Sequence, residues 1–201
     1  GQGGFGITYV GWDLNLDLKV AVKEYYPDGS ATREQTMQST VIPFTGQGEE
    51  LFIAGREKFI SEARTLAKFA NEPGVVNVRD YFQANGTAYI VMEYIEGETL
   101  AAISTKRGRM PAAEALELLR PVFIALEKVH EAGLLHRDIS PDNIMVRSDG
   151  SAKLLDFGAS RQISAQGERS NTINVKHGYA PEEQYRTRGE QGPWTDVYAL
   201  C

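Results

Sequence analysis

The spacing of apolar positions predicts strands in the first part of the chain and helices in the second. Tyr9-Val10-Gly11-Trp12 and Lys19-Val20-Ala21-Val22-Lys23 are rich in β-formers and flank Asp13-Leu14-Asn15, so Gly1 to Glu24 reads as two strands around a turn. Pro27 to Gly48 is polar, with Pro, Gly, Ser and Thr, and reads as a long loop. From Glu57 to Phe69, Phe59, Ala63, Leu66 and Ala67 recur at helical spacing, and Glu72-Pro73-Gly74 closes that segment. Val75 to Phe82 and Ala88 to Tyr94 are apolar β-rich runs joined by Asn85-Gly86, a hairpin signal. Ala112 to Ala132 is helical, with Leu116, Leu119, Phe123, Leu126 and Val129 expected on one face and Gly133 as the stop. Pro121 lies inside that pattern and is expected to kink or split the helix. The order suggests two lobes that join near Glu93 to Gly97.

Composition narrows the class. With 201 residues, 42% hydrophobic and 24% charged, the chain is an ordinary globular domain with room for a sizeable core. Twenty-seven acidic against 21 basic residues give a net charge of −6, which argues against a nucleic-acid partner. Cys201 is the one cysteine, which excludes an internal disulfide and a cysteine-based zinc site. No apolar run approaches the length of a membrane helix, and no signal peptide is visible. The chain starts without Met and stops inside the apolar run Ala199-Leu200-Cys201, so both ends are expected to be cut.

Three sets of residues carry chemistry. Gly1-Gln2-Gly3-Gly4-Phe5-Gly6 places glycines where backbone N–H groups can approach phosphate oxygens, with a plain flexible turn as the alternative. A strand from Ile7 to Val10 follows, which favours a glycine-rich hairpin over a nucleotide. Lys23 ends an apolar strand and can reach the same phosphates if that strand lies beneath; otherwise it is a snorkelling surface lysine. Such a lysine needs a carboxylate, and Glu62 is the natural candidate, with Glu57 competing. The sharpest signal is His136-Arg137-Asp138-Ile139-Ser140-Pro141-Asp142-Asn143, followed by Asp156-Phe157-Gly158.

With these motifs in this order, the chain resembles a eukaryotic-type protein kinase domain of the bacterial Ser/Thr kind, over Gly1 to Asp196. The resemblance implies an α+β, two-lobed fold. Residues 1–92 would be an N-lobe with an antiparallel sheet and one main helix, its first strand largely missing. Residues 93–201 would be a mostly helical C-lobe, cut at the helix after the activation segment. It implies transfer of the γ-phosphate of ATP to Ser or Thr hydroxyls of protein substrates in the cytoplasm, with magnesium, or manganese in its place.

The same resemblance assigns roles. Gly1, Gly3 and Gly6 would cover the phosphates, Lys23 would touch them, and Glu62 would hold Lys23. Asp138 would take the substrate's hydroxyl proton, and Asn143 and Asp156 would hold the metal. Met92 would be the gatekeeper, Glu93 to Ile95 would offer backbone to the adenine, and Thr8, Ala21 and Met145 would pack on it. Leu66, Val78, His136 and Phe157 would stack as a spine, each also explicable as simple core, and Asp196 would anchor the catalytic loop. His130 and His177 receive no role. In the activation segment Ser164, Ser170 and Thr172 are phosphorylation candidates, Thr172 first, with Arg137 as the docking cation and Glu182 awaiting an arginine beyond Cys201.

Two departures stand out. Ser140 occupies the place of the family's catalytic-loop lysine, and Lys176-His177-Gly178-Tyr179 lacks the usual threonine before Ala180-Pro181-Glu182. Lys176 is expected to supply the charge that Ser140 lacks. The alternatives are a nucleotide-binding pseudokinase, supported by Ser140 alone, and a small-molecule phosphotransferase of the aminoglycoside or choline type, which generally lacks the Ala180 to Glu182 segment.

Overall fold

The computed structural model describes residues 2–3, 6–33, 40–157, 161–162, 176–186 and 189–201. The chain divides into two compact units: residues 1–70 with 77–94, and residues 71–76 with 95–201.

The first unit is built on an antiparallel sheet. Its strands are β1 (Gln2–Gly3), β2 (Gly6–Asp13), β3 (Leu18–Tyr25) and, after an excursion, β6 (Val78–Ala84) and β7 (Thr87–Glu93), in the order β1-β2-β3-β7-β6. Asn85 and Gly86, both in the left-handed region, turn β6 into β7 as the sequence predicts. The polar stretch after β3 is not loop throughout. It contains a small hairpin, β4 (Ala31–Arg33) with β5 (Val41–Pro43), registered Thr32 to Ile42.

Helix α1 spans Gln47–Leu66 and starts ten residues before the periodic run that predicts it. Gly48 and Gly55 hide the helical signal there, because glycine weakens helix propensity by about 1 kcal/mol relative to alanine. Tertiary packing overrides that cost. Phe52 is 1% exposed, and its ring and that of Phe59 lie 5.0 and 5.5 Å from Tyr25. A 3₁₀ turn, Ala67–Phe69, finishes the helix.

The second unit begins with residues 71–76, which leave the first sheet. Val76 N–H donates to Leu154 O and Leu154 N–H donates to Gly74 O, so these residues run beside the strand Ala152–Leu154. The unit continues through β8 (Gly97–Thr99), α2 (Leu100–Arg107), α3 (Ala112–Glu131), β9 (Leu134–Leu135), β10 (Ile144–Arg147), β11 (Ala152–Leu154), β12 (Arg161–Gln162) and α4 (Pro193–Leu200). Thr99 caps α2 by accepting from Ala102 N–H. Gly133, at φ 75°, ends α3 in the expected left-handed geometry.

Helix α3 departs from its predicted form in two respects. Pro121 lies within it and does not interrupt it. The buried face is Leu119, Val122, Ala125, Leu126 and Val129, while Leu116 and Phe123 are exposed, so the packed stripe is rotated from the predicted one. That stripe buries against β11 and β9, and burial of this kind, at about 1.5–3 kcal/mol per large apolar side chain, outweighs one missing N–H. Among the described residues no helix is long and apolar enough to cross a membrane.

Candidate active site

The strand register of the first unit collects the predicted nucleotide contacts. Thr8 pairs with Lys23 and Val10 with Ala21; Lys23 pairs in turn with Ile90, and Ala21 with Met92. Alternation along a strand therefore sets Thr8, Ala21, Lys23 and Met92 on one face. Gly3 and Gly6 are opposed across a tight β1–β2 hairpin, while Gly1 lies outside the described residues. A Cβ at Gly6 would stand 2.0 Å from the Glu24 carbonyl oxygen, so close backbone approach alone requires glycine there. Glu93 is tied to Asn77 twice: its N–H donates to Asn77 O, and its Oε1 accepts from Asn77 N–H.

Lys23 is only 7% exposed, and its ammonium lies 5.8 Å from the centre of the Phe59 ring on α1. Glu62 is three residues beyond Phe59, on the same side of that helix, and is half-buried, whereas Glu57 is exposed. The opposite face of β3 carries a second polar cluster. Glu24, 1% exposed, accepts from Tyr9 Oη at 2.8 Å, Tyr89 Oη at 2.9 Å and Arg33 Nη2 at 2.7 Å. This bond and ion pair fasten the β4–β5 hairpin to the sheet.

In the second unit the loop from β9 to β10 and the turn after Leu154 are held by an unusual backbone. Arg137 and Asp156 are non-glycine residues at φ 69° and 49°. Such conformations cost about 1–3 kcal/mol each and persist only when their surroundings enforce them. For Arg137 those surroundings are visible: its N–H donates to Asp196 Oδ1 at 2.7 Å, and its carbonyl accepts from Gln184 Nε2 at 2.8 Å. Asp196, fully buried near the start of α4, also accepts from His136 N–H and from His130 Nε2, both at 2.8 Å. Burial would raise its carboxyl, but the His130 hydrogen bond, the neighbouring His136 imidazole and the two backbone N–H groups prevail and hold it below the ordinary range. The expected anchoring by Asp196 thus has a third donor, His130, to which sequence reasoning gave no role. Its position on the last turn of α3, just before the loop, was the available signal.

His136 is buried with its Nε2 at 2.9 Å from Leu155 O and its Nδ1 accepting from Asp138 N–H at 3.2 Å. That pairing requires a neutral ring protonated on Nε2. Burial also lowers its pKa, against the pull of Asp196. The His136 ring meets Phe157 edge-on with centroids 4.4 Å apart. Leu66 and Val78 are buried in the core of the first unit.

Asp138 lies in the middle of this frame. Asn143 Nδ2 donates both to the Asp138 carbonyl and to its Oδ2, each at 2.8 Å. Burial raises the Asp138 pKa, outweighing the opposing effects of His136, Lys176 and the Asn143 bond. Leu155 N–H donates to Asn143 O at 2.7 Å, which brings the residue before Asp156 onto the loop. Met145 lies on β10, registered with Lys153 on one side and Thr99 on the other.

Lys176 Nζ donates to Ser140 Oγ at 2.8 Å and is 2.9 Å from Asp142 Oδ2. Glu182 pairs with Arg186, one helical turn on. Ser164, Ser170, Thr172 and Gly158 lie outside the described residues.

The protein kinase domain profile matches residues 1–201. The chain belongs to the protein kinase family. It is 35% identical over 200 residues to the serine/threonine-protein kinase PknL of Mycobacterium tuberculosis, covering 99% of this chain and 45% of that protein. It is 34% identical over 205 residues to PknA of the same species, covering 98% and 42%. A solved structure, the apo form of PpkA-294, superposes with a TM-score of 0.83 at 40% identity over all of this chain and 69% of that one. The chain spans less than half the length of these two curated relatives. The kinase fold is thus the α+β fold expected from the motifs.

Use of ATP with a divalent metal is the habit of the protein kinase family. The donor set suits a metal that arrives with phosphates. Asn143 spends its amide nitrogen on Asp138 and keeps an oxygen, and Asp156 adds a carboxylate. Among the described residues no group of three His, Cys, Asp or Glu side chains could hold an ion by itself. Hard oxygen ligands, few in number, fit an ion that completes its shell with phosphate and water.

Proposed function

We propose that this chain is the catalytic domain of a protein serine/threonine kinase that uses MgATP. The observation that carries the reading is the Asp138–Asn143 pair: a half-buried carboxylate whose orientation is set by a side-chain amide, in a backbone clamped on both sides of Arg137. Asp138 accepts the hydrogen of a substrate hydroxyl and orients its oxygen toward the γ-phosphorus. The new O–P bond forms as the bond to the β-phosphate oxygen breaks, ADP leaves, and the hydroxyl proton passes to Asp138. Asn143 and Asp156 would hold the metal, which would supply charge neutralisation at the phosphates; magnesium is the ion that these oxygens fit.

In the first unit Lys23 binds the phosphates and Glu62 orients it, with Gly1, Gly3 and Gly6 lying along them. Thr8, Ala21, the backbone of Glu93 and Ile95, and Met145 take the adenine. The two compact units correspond to the N- and C-lobes of the kinase. Thr172, with Ser170 next, is the activating phosphorylation site, and the whole acts on protein substrates in the cytoplasm, where ATP is available.

The test is transfer from MgATP to protein, read by intact mass and peptide mapping on the protein that contains this domain. Phosphate on serine or threonine in the parent and none in Asp138→Asn establishes the reading. Equal incorporation in both overturns it.

A further inference from the structure

Phosphoryl transfer needs positive charge beside the moving γ-phosphate as well as an oriented hydroxyl. The loop from Asp138 to Asn143 carries two carboxylates, Asp138 and Asp142, and no cation. Its third residue is Ser140, whose hydroxyl is 1% exposed and cannot carry charge. A cation reaches this loop from another segment: Lys176 Nζ is 2.8 Å from Ser140 Oγ and 2.9 Å from Asp142 Oδ2.

The arrangement has more order than a surface ion pair. Lys176 opens a turn in which Tyr179 and Ala180 N–H both donate to its carbonyl, which fixes the backbone that carries the side chain. A few residues on, Gln184 Nε2 donates to the carbonyl of Arg137. Residues 176–184 therefore grip the catalytic loop at two points, one on either side of Asp138. Ser140 belongs to the same turn as the catalytic residues, because its carbonyl accepts from Asn143 N–H at 2.9 Å. A cation bonded to Ser140 is thus held in register with Asp138 and Asn143. An exposed lysine–aspartate pair would contribute little; a hydrogen bond to a buried hydroxyl in the reacting loop is a different matter.

We propose that Lys176 is a positioning and charge-supplying residue for phosphoryl transfer, lent to the catalytic loop by the activation segment, with Ser140 as its receptor. The inference rests on the kinase reading above. It follows that the charge is transferable: a lysine at position 140 should do the work of Lys176, because both positions serve one location.

The experiment is steady-state kinetics with MgATP and a protein substrate on the parent, Lys176→Met, Lys176→Arg, the relocation double variant Ser140→Lys with Lys176→Met, and Asp138→Asn as the inactive reference. Lys176→Met should lower kcat by about 100-fold, the scale for removing one charge-stabilising donor, with the KM for ATP little changed. Lys176→Arg should keep most of the activity, and the double variant should recover at least about tenfold over Lys176→Met. The melting temperature of each variant, with and without MgATP, shows that it is folded. A loss under about tenfold in folded Lys176→Met, or a folded double variant no faster than the single, overturns the proposal while leaving the kinase reading intact. If Lys176→Met does not fold, a folded double variant within about tenfold of the parent supports the proposal, and one at the Asp138→Asn background overturns it. A parent no faster than Asp138→Asn overturns both.

Discussion

Asp138, half-buried, and Asp196, fully buried, are carboxylates of the same loop assembly, yet their surroundings push them in opposite directions. Asp196 is fully enclosed and receives two backbone N–H groups and His130, so it stays ionised and lies below the ordinary carboxylate range. Asp138 is less enclosed, but burial prevails over the opposing effects of His136, Lys176 and the Asn143 bond, and its affinity for a proton rises. A carboxylate whose acceptor sites are filled by fixed donors is a structural anchor. One left with proton affinity beside an orienting amide is equipped to take a proton. Residue type is shared, and the more enclosed of the two is the one held ionised, so the donor count rather than burial makes the difference.

Four substitutions or conditions would break or sharpen this contrast. The largest effect belongs to Asp138→Asn, which should reduce kcat by about 10³-fold or more without lowering the melting temperature, since it removes a poorly solvated charge. Kinetics and a thermal melt on the same sample check both halves. Next is Asp196→Ala, expected to cost about 3–5 kcal/mol of stability because it strands the His136 and Arg137 N–H groups and His130. Urea denaturation measures it, and a cost below about 1 kcal/mol would remove Asp196 from the anchoring role.

A smaller effect is expected for Gln184→Leu. It deprives the Arg137 carbonyl of its donor and relaxes the left-handed backbone beside Asp138, at about 1–3 kcal/mol. The loss should appear in kcat more than in KM for ATP.

The smallest effect is one of pH. His136 is neutral in the fold with its pKa lowered by burial, so the unfolded chain takes up a proton first as pH falls through about 6.5. Stability should therefore decline on acidification below neutrality, and continue to decline until the folded-state pKa is passed. Asp196 adds its own loss in the same direction only further down, as pH falls from the unfolded value of 3.8 through its depressed folded one. Urea midpoints at pH 7.5 and 5.5 should differ in the parent and differ less in His136→Phe.

Much of the framework is legible in residue order. The β2–β3 and β6–β7 hairpins follow from β-rich runs around turn residues, and α3 ends at Gly133 as predicted. The start of α1 and the β4–β5 hairpin were not legible. Gly48 and Gly55 obscure the helix, which Phe52 secures by packing on Tyr25. The hairpin is secured by Arg33 reaching Glu24 across the sheet. Asp138 and Asn143 in the loop, and Asp156 after β11, could be named because each stands in a short local motif. His130 and Gln184 could not, because each acts on a residue it meets only in space.

The sequence alone determined the family, the strand-rich front and helix-bearing back, and which carboxylates and amide stand between β9 and β10, since these depend on neighbours along the chain. The tertiary structure alone decided that Asp196 gathers three donors while Asp138 keeps its proton affinity; the meeting of Lys176 with Ser140 was already expected from the residues, and the structure supplied its geometry. A side chain's electrostatics follow from the groups packed around it, and here those groups come from α3, α4 and the residues that precede α4, which chain order does not bring together.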